Sequence, residues 1–173
     1  MDGGKLPGLA GTYGRAGWGG RRADGRNGWS ARGSFAQQAS SESELTVWRG
    51  IGSYVYHVRE DRHGDTMGWN LGAGGWLRKD RWYSIEQHLR LNTPGRNDGM
   101  LRAWVDGRQV FERRDLRWRD VDTLRIETLW MNIYHGGPKT SPQDMTLFID
   151  NLVVARQYIG PRLPGVVSTP AGR

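Results

Sequence analysis

Regular alternation of apolar and polar residues begins at Trp29. In WSARGSFA, Trp29, Ala31 and Phe35 share one side of an extended chain and Ser30, Arg32 and Ser34 the other, which predicts a half-buried strand. LTVWRGIGSYVYHV (45–58) is rich in β-branched and aromatic residues, with Gly50 and Gly52 marking a bulge or kink. MGWNLGAGG (67–75) is a glycine-broken aromatic stretch. RWYSIEQHLRLN (81–92) alternates most cleanly: Tyr83, Ile85, Gln87, Leu89 and Leu91 on one face, Trp82, Ser84, Glu86, His88, Arg90 and Asn92 on the other. MLRAWVDGRQVFE reads as a hairpin about Asp106-Gly107, a pair suited to the two positive-φ positions of a type I′ turn. TLRIETLWMNIY (123–134) and TLFIDNLVVARQYI (146–159) supply the remaining strands. The glycine-rich stretch 1–28, QQASSESE and REDRHGD read as loops.

Helical periodicity is nearly absent, and no internal repeat is visible. About seven short strands joined by turns predict an all-β protein, an antiparallel β-sandwich of jelly-roll type. One domain over 1–159 is expected, followed by a Pro/Gly-rich tail over 160–173. The apolar faces place Ile85, Leu89, Leu91, Leu101, Ala103, Val105 and Phe148 in the core.

Composition narrows the partners. The 173 residues suffice for one domain, and 26 Gly with 9 Trp suit tight turns and an aromatic-rich surface while arguing against disorder. There is no cysteine, so disulfides and thiolate metal sites are excluded, and no His/Cys/Asp cluster has zinc spacing. No apolar run approaches the ~20 residues of a membrane span. The opening residues MDGGKLPG do not form a signal peptide, so the leader of an exported protein is expected outside this chain. A net charge of +7 calls for an acidic partner. Nucleic acid is disfavoured, since the tryptophans are dispersed through glycine-rich turns without a recognition motif.

Two places carry candidate chemistry. The polar face of 81–92 sets Trp82, Glu86, His88, Arg90 and Asn92 in line, a mixture of flat apolar rings and multidentate polar groups that suits sugars. Lys5, one of three lysines beside 22 arginines, stands between a glycine pair and a Leu-Pro-Gly turn. His57, His63 and His135 read as structural or solvent-facing.

GGKLPGL, then WSAR, SYVYHV, WYSIEQHLRLNTPGRNDGMLRAWVDGR and FIDNLVV resemble polysaccharide lyase family 14 in content and order, across most of residues 3–155. The resemblance implies a β-jelly roll, cleavage of alginate or glucuronan, and no cofactor. It implies catalytic roles for Lys5, for Ser30 and Arg32 of the Ser-x-Arg pair, and for Tyr54 and Tyr56 of the Tyr-x-Tyr pair. Family members carry further strands before the lysine turn, so the chain is expected either to lack N-terminal strands or to be a naturally short domain, with an exposed sheet edge open to oligomerisation. A secreted or periplasmic setting is also implied.

Such a site must neutralise the uronate carboxylate, remove the C5 proton and protonate the C4 oxygen as it leaves. Lys5 and Arg32 have the charge for the first task. Tyrosines whose pKa falls beside these cations are expected to perform the other two. The alternative function is a non-catalytic carbohydrate-binding jelly roll that holds the same acidic polysaccharides.

Overall fold

The computed structural model describes residues 3–11, 19–38, 47–58, 63–72, 77–78, 80–136, 140 and 144–161. Nine strands are assigned among them: β1 (Gly3–Gly11), β2 (Trp29–Gln38), β3 (Val47–Tyr56), β4 (Asp65–Gly68), β5 (Ile85–Arg90), β6 (Gly99–Val105), β7 (Arg108–Leu116), β8 (Thr128–Trp130) and β9 (Tyr134–Gly136). No helix occurs among the described residues. A six-stranded antiparallel sheet runs β4-β3-β2-β1-β8, with β9 also on β1, and a three-stranded antiparallel sheet runs β5-β6-β7. The fold is therefore an all-β sandwich, as the alternation predicts.

The inward faces of the two sheets meet. Trp29, Ala31, Val55 and Met67 from the large sheet pack with Leu89, Leu101 and Leu116 from the small one, and with Trp118 and Leu124 beyond it. Trp29 and Trp118 meet at 5.5 Å between ring centroids. A second cluster joins Ile51 and Trp69 to Ala103, Val105 and Val110. Each large apolar side chain removed from water in this way contributes about 1.5–3 kcal/mol. Ser53 is fully buried between the sheets, where its hydroxyl donates to Gln87 Oε1 at 3.0 Å and accepts from Trp69 Nε1 at 3.0 Å.

The Asp106-Gly107 turn forms as expected, with φ of 50° and 78° at the two residues. The irregularity expected near Gly50 appears as a register shift, Gly50 facing Ala36 while Trp48 faces Gln37. Leu89, Leu101, Ala103 and Val105 are buried, and Leu91 packs partly against the core.

Other expectations are corrected. The glycine-rich start is no loop, because residues 3–11 form β1 inside the large sheet, between β2 and the β8–β9 pair. Small residues there reflect close strand approach: a Cβ on Gly4 would collide with the Tyr134 carbonyl and the Phe35 ring. Ile85 is 44% exposed, since it opens β5 beside the Asp106 turn, where the large sheet does not cover it. Strand 123–134 is interrupted into β8 and β9. Residues 146–159 have strand periodicity but no ladder, and Phe148 is 73% exposed rather than in the core. Alternation selects a face, whereas a hydrogen-bonded neighbour is needed to make a strand of it. The tail beyond Pro161 lies outside the described residues.

Candidate active site

Registered strands bring six side chains of the large sheet's outward face together. Lys5 on β1 faces Ser34 on β2. Along β2, Ser30, Arg32 and Ser34 point the same way because side chains two apart share a face. On β3, Tyr54 faces Arg32 and Tyr56 faces Ser30. Above them lies a cleft of about 770 Å³, within the ~300–1,000 Å³ typical of ligand sites. Lys5, Arg32, Tyr54 and Tyr56 line it with His63, Thr66, Trp130, Asn132 and Tyr134 among others.

The contacts are close. Lys5 Nζ sits 3.7 Å from the centroid of the Tyr54 ring. The hydroxyls of Tyr54 and Tyr56 lie 3.5 Å apart, their rings edge to face. Gly64 N–H donates to the Tyr54 hydroxyl and Gly20 N–H to that of Tyr56, each at 3.3 Å. The Arg32 guanidinium lies 4.5 Å from the Trp130 ring, and its Nη1 donates to Asn132 Oδ1 at 3.1 Å. Arg32 is only 4% exposed, and its Nε has no hydrogen-bond partner among the described residues. A buried charge with an unused donor is costly to keep in a fold, which makes Arg32 a candidate for anion binding.

Burial, and secondarily the charge of Arg32, lowers the Lys5 pKa from 10.5 to about 8. Burial also dominates at Tyr54, with the hydrogen bond to Tyr56 next, and raises its pKa to about 12. The pull of Arg32 is smaller and does not reverse this. The expectation that neighbouring cations lower the tyrosine pKa is thus corrected at Tyr54: desolvation of a phenolate outweighs a cation already stacked on Trp130.

The model of polysaccharide lyase family 14 matches residues 1–152. The chain belongs to that family. Among solved structures, the family 14 chain is similar to alginate lyase Aly36B at 25% identity and a TM-score of 0.55, covering 72% of this chain and 48% of the other. Substituted Aly36B bound to alginate trisaccharide matches at 23% identity and TM-score 0.58, and another bound to alginate tetrasaccharide at 23% and 0.60. Each of the latter alignments covers 79% of this chain and 54% of the other, so the family 14 chain spans about half the length of these structures. No curated protein matches it.

Other expected site residues of the family 14 chain stand elsewhere. Ser30 shares the cleft's face but is fully buried beneath it, its hydroxyl unpartnered among the described residues. The sugar-binding face expected on 81–92 does not meet the cleft, because β5 belongs to the other sheet and Leu89 turns its polar residues away from the large one. Glu86 instead accepts the backbone N–H groups of Ile159 and Gly160, at 2.9 and 3.0 Å. Asn92 is buried, accepting from Trp118 N and Arg119 N and donating to the Thr93 and Arg119 carbonyls, so its polar groups are consumed in the fold. His88 faces Arg102 on β6, Arg90 donates to the Asp98 carbonyl, and Trp82 is exposed before β5 begins. None of these five lines the cleft.

His63, for which the sequence suggests a structural or solvent-facing role, is exposed and contributes to the cleft wall. Trp130, Asn132 and Tyr134 were missed. Their signal was the spacing itself, three sugar-compatible side chains at alternate positions of one predicted strand. Among the described residues no group of acidic or histidine side chains is placed to hold a metal ion, and no helix is long and apolar enough to cross a membrane.

Proposed function

We propose that the protein is a polysaccharide lyase that cuts 4-linked uronate polymers, alginate or glucuronan, by β-elimination. The observation that carries this reading is Lys5 Nζ against the Tyr54 ring beside a buried Arg32. Arg32 takes the uronate carboxylate and, with the charge spread toward it, makes the C5 proton acidic. Neutral Lys5 removes that proton. With a pKa of about 8, roughly a tenth of the free protein holds Lys5 neutral at pH 7. The C5–H electrons form the C4–C5 double bond as the C4–O bond breaks. Tyr54, which keeps its proton at a pKa of about 12, gives it to the departing oxygen. Tyr56, hydroxyl to hydroxyl with Tyr54, returns a proton from solvent. This assigns the base to Lys5 and leaves the acid with a tyrosine.

Lys5, Tyr54 and Tyr56 project from one sheet face, so base and acid meet the sugar from one side. Syn elimination follows. In β-D-mannuronate and β-D-glucuronate the C5 hydrogen and C4 oxygen leave from the same ring face; in α-L-guluronate they leave from opposite faces. The reading therefore names mannuronate and glucuronate blocks as substrates, and an acidic polysaccharide substrate fits a protein working outside the cytoplasm.

Incubation with a panel of acidic polysaccharides tests it. Ultraviolet absorbance of the unsaturated uronate should grow with polymannuronate or glucuronan. Binding of both polymers without any growth would make the protein a carbohydrate-binding module instead.

A further inference from the structure

Proline at position 7 interrupts the sheet on both sides of β1. Its ring nitrogen has no hydrogen to donate, and the β1–β2 register shifts between Leu6 and Gly8. On the other side, Gly8 faces Trp130 and Lys5 faces Tyr134. Two residues of β1, Leu6 and Pro7, thus stand opposite three, Met131, Asn132 and Ile133. The extra residue forces the chain between β8 and β9 off the ladder, the device by which bulges re-aim side chains beside functional sites. Asn132 sits at the middle of that bulge and lines the cleft.

Chemistry fixes the orientation of its amide. A guanidinium only donates, so the atom 3.1 Å from Arg32 Nη1 must be the oxygen. The Asn132 NH₂ group is then turned away from Arg32, and no hydrogen bond occupies it among the described residues.

We propose that Asn132 is the second arm of the carboxylate site. Its oxygen holds the guanidinium on Trp130, and its NH₂ donates to the same uronate carboxylate that Arg32 takes. This rests on the lyase reading for the identity of the ligand. A carboxylate that gains charge density as the C5 proton leaves is then met by one charged and one neutral donor, both fixed before the sugar arrives.

Two near-isosteric roles separate under substitution. Asn132→Asp keeps an oxygen for Arg32 but replaces the NH₂ donor with an anion facing the carboxylate, whereas Asn132→Ala removes both contacts. Binding of trimannuronate is measured by calorimetry in a Tyr54→Phe background, so that the ligand survives. Turnover on polymannuronate is measured in the otherwise unaltered chain. Asn132→Ala should weaken binding about 10-fold and Asn132→Asp at least ~100-fold, the range expected when a hydrogen-bond donor to a charged group is lost and then inverted. Asn132→Asp binding as well as or better than Asn132→Ala would overturn the proposal. Asn132→Ala in an Arg32→Met background decides independently: a several-fold further weakening supports the second arm, and no further weakening overturns it. Absence of turnover in the unaltered chain would count against the lyase reading alone, since the order of affinities judges Asn132 independently.

Discussion

Tyr54→Phe is expected to lower kcat on polymannuronate by about 10²–10⁴-fold while leaving polymer affinity within a few-fold of the parent. The substitution deletes one hydroxyl and keeps the ring under Lys5, so the loss falls on a group that acts as the C4–O bond breaks. Lys5→Met should lose at least as much, because it removes the proposed base. It should also raise Tm at pH 7. In the folded state the Lys5 pKa is about 8, below its ordinary 10.5, so between these values the unfolded chain binds more protons. Holding Lys5 charged therefore costs stability, fully below pH 8, and the cost fades as pH rises toward 10.5. Loss of turnover combined with a higher Tm, the higher Tm being largest at neutral pH, distinguishes a strained functional lysine from a structural one. A Lys5→Met protein with parental turnover would remove Lys5 from the mechanism, whatever its Tm.

The second large effect concerns the polymer. Polymannuronate should be cleaved at least about 100-fold faster than polyguluronate, with glucuronan on the fast side. The warrant is stereochemical: Lys5, Tyr54 and Tyr56 rise from one sheet face, and an anti elimination needs a base on the opposite ring face. Among the titratable groups lining the cleft, Lys5, Arg32, Tyr54, Tyr56 and Tyr134 stand on sheet strands, whereas His63 lies outside them. Equal rates on the two polymers would contradict one-sided proton transfer and move attention to His63, whose replacement by alanine should then abolish cleavage of polyguluronate only.

The parts legible in the sequence were those with local causes. The period-2 patterns of 29–36 and 81–92 and the Asp106-Gly107 turn carry their own geometry, and the sandwich follows from them. Ser30, Arg32, Tyr54 and Tyr56 were legible as two pairs two residues apart, which the β2–β3 register then sets opposite each other. What pattern alone does not carry is the neighbour. Glycine in β1 looked like loop chemistry, yet the Tyr134 carbonyl and Phe35 ring beside Gly4 make a small residue necessary. The polar face of β5 looked like a sugar platform, but the partners of Glu86 and Asn92 are backbone groups 73, 74 and up to 27 residues away in sequence. Burial likewise outweighed charge at Tyr54, and no reading of residue types alone reveals which of the two is larger.

The central claim is that Lys5 is the base, made available by a depressed pKa, and the pH dependence of kcat/KM on polymannuronate tests it most directly, because that ratio reports the ionisations of the free protein. The rate should rise tenfold per pH unit below an apparent pKa near 8, level off above it, and show no alkaline decline until Tyr54 begins to ionise toward 12. A profile that peaks near pH 5–6 and falls through pH 8, or one whose limb near 8 persists in Lys5→Met, would contradict it.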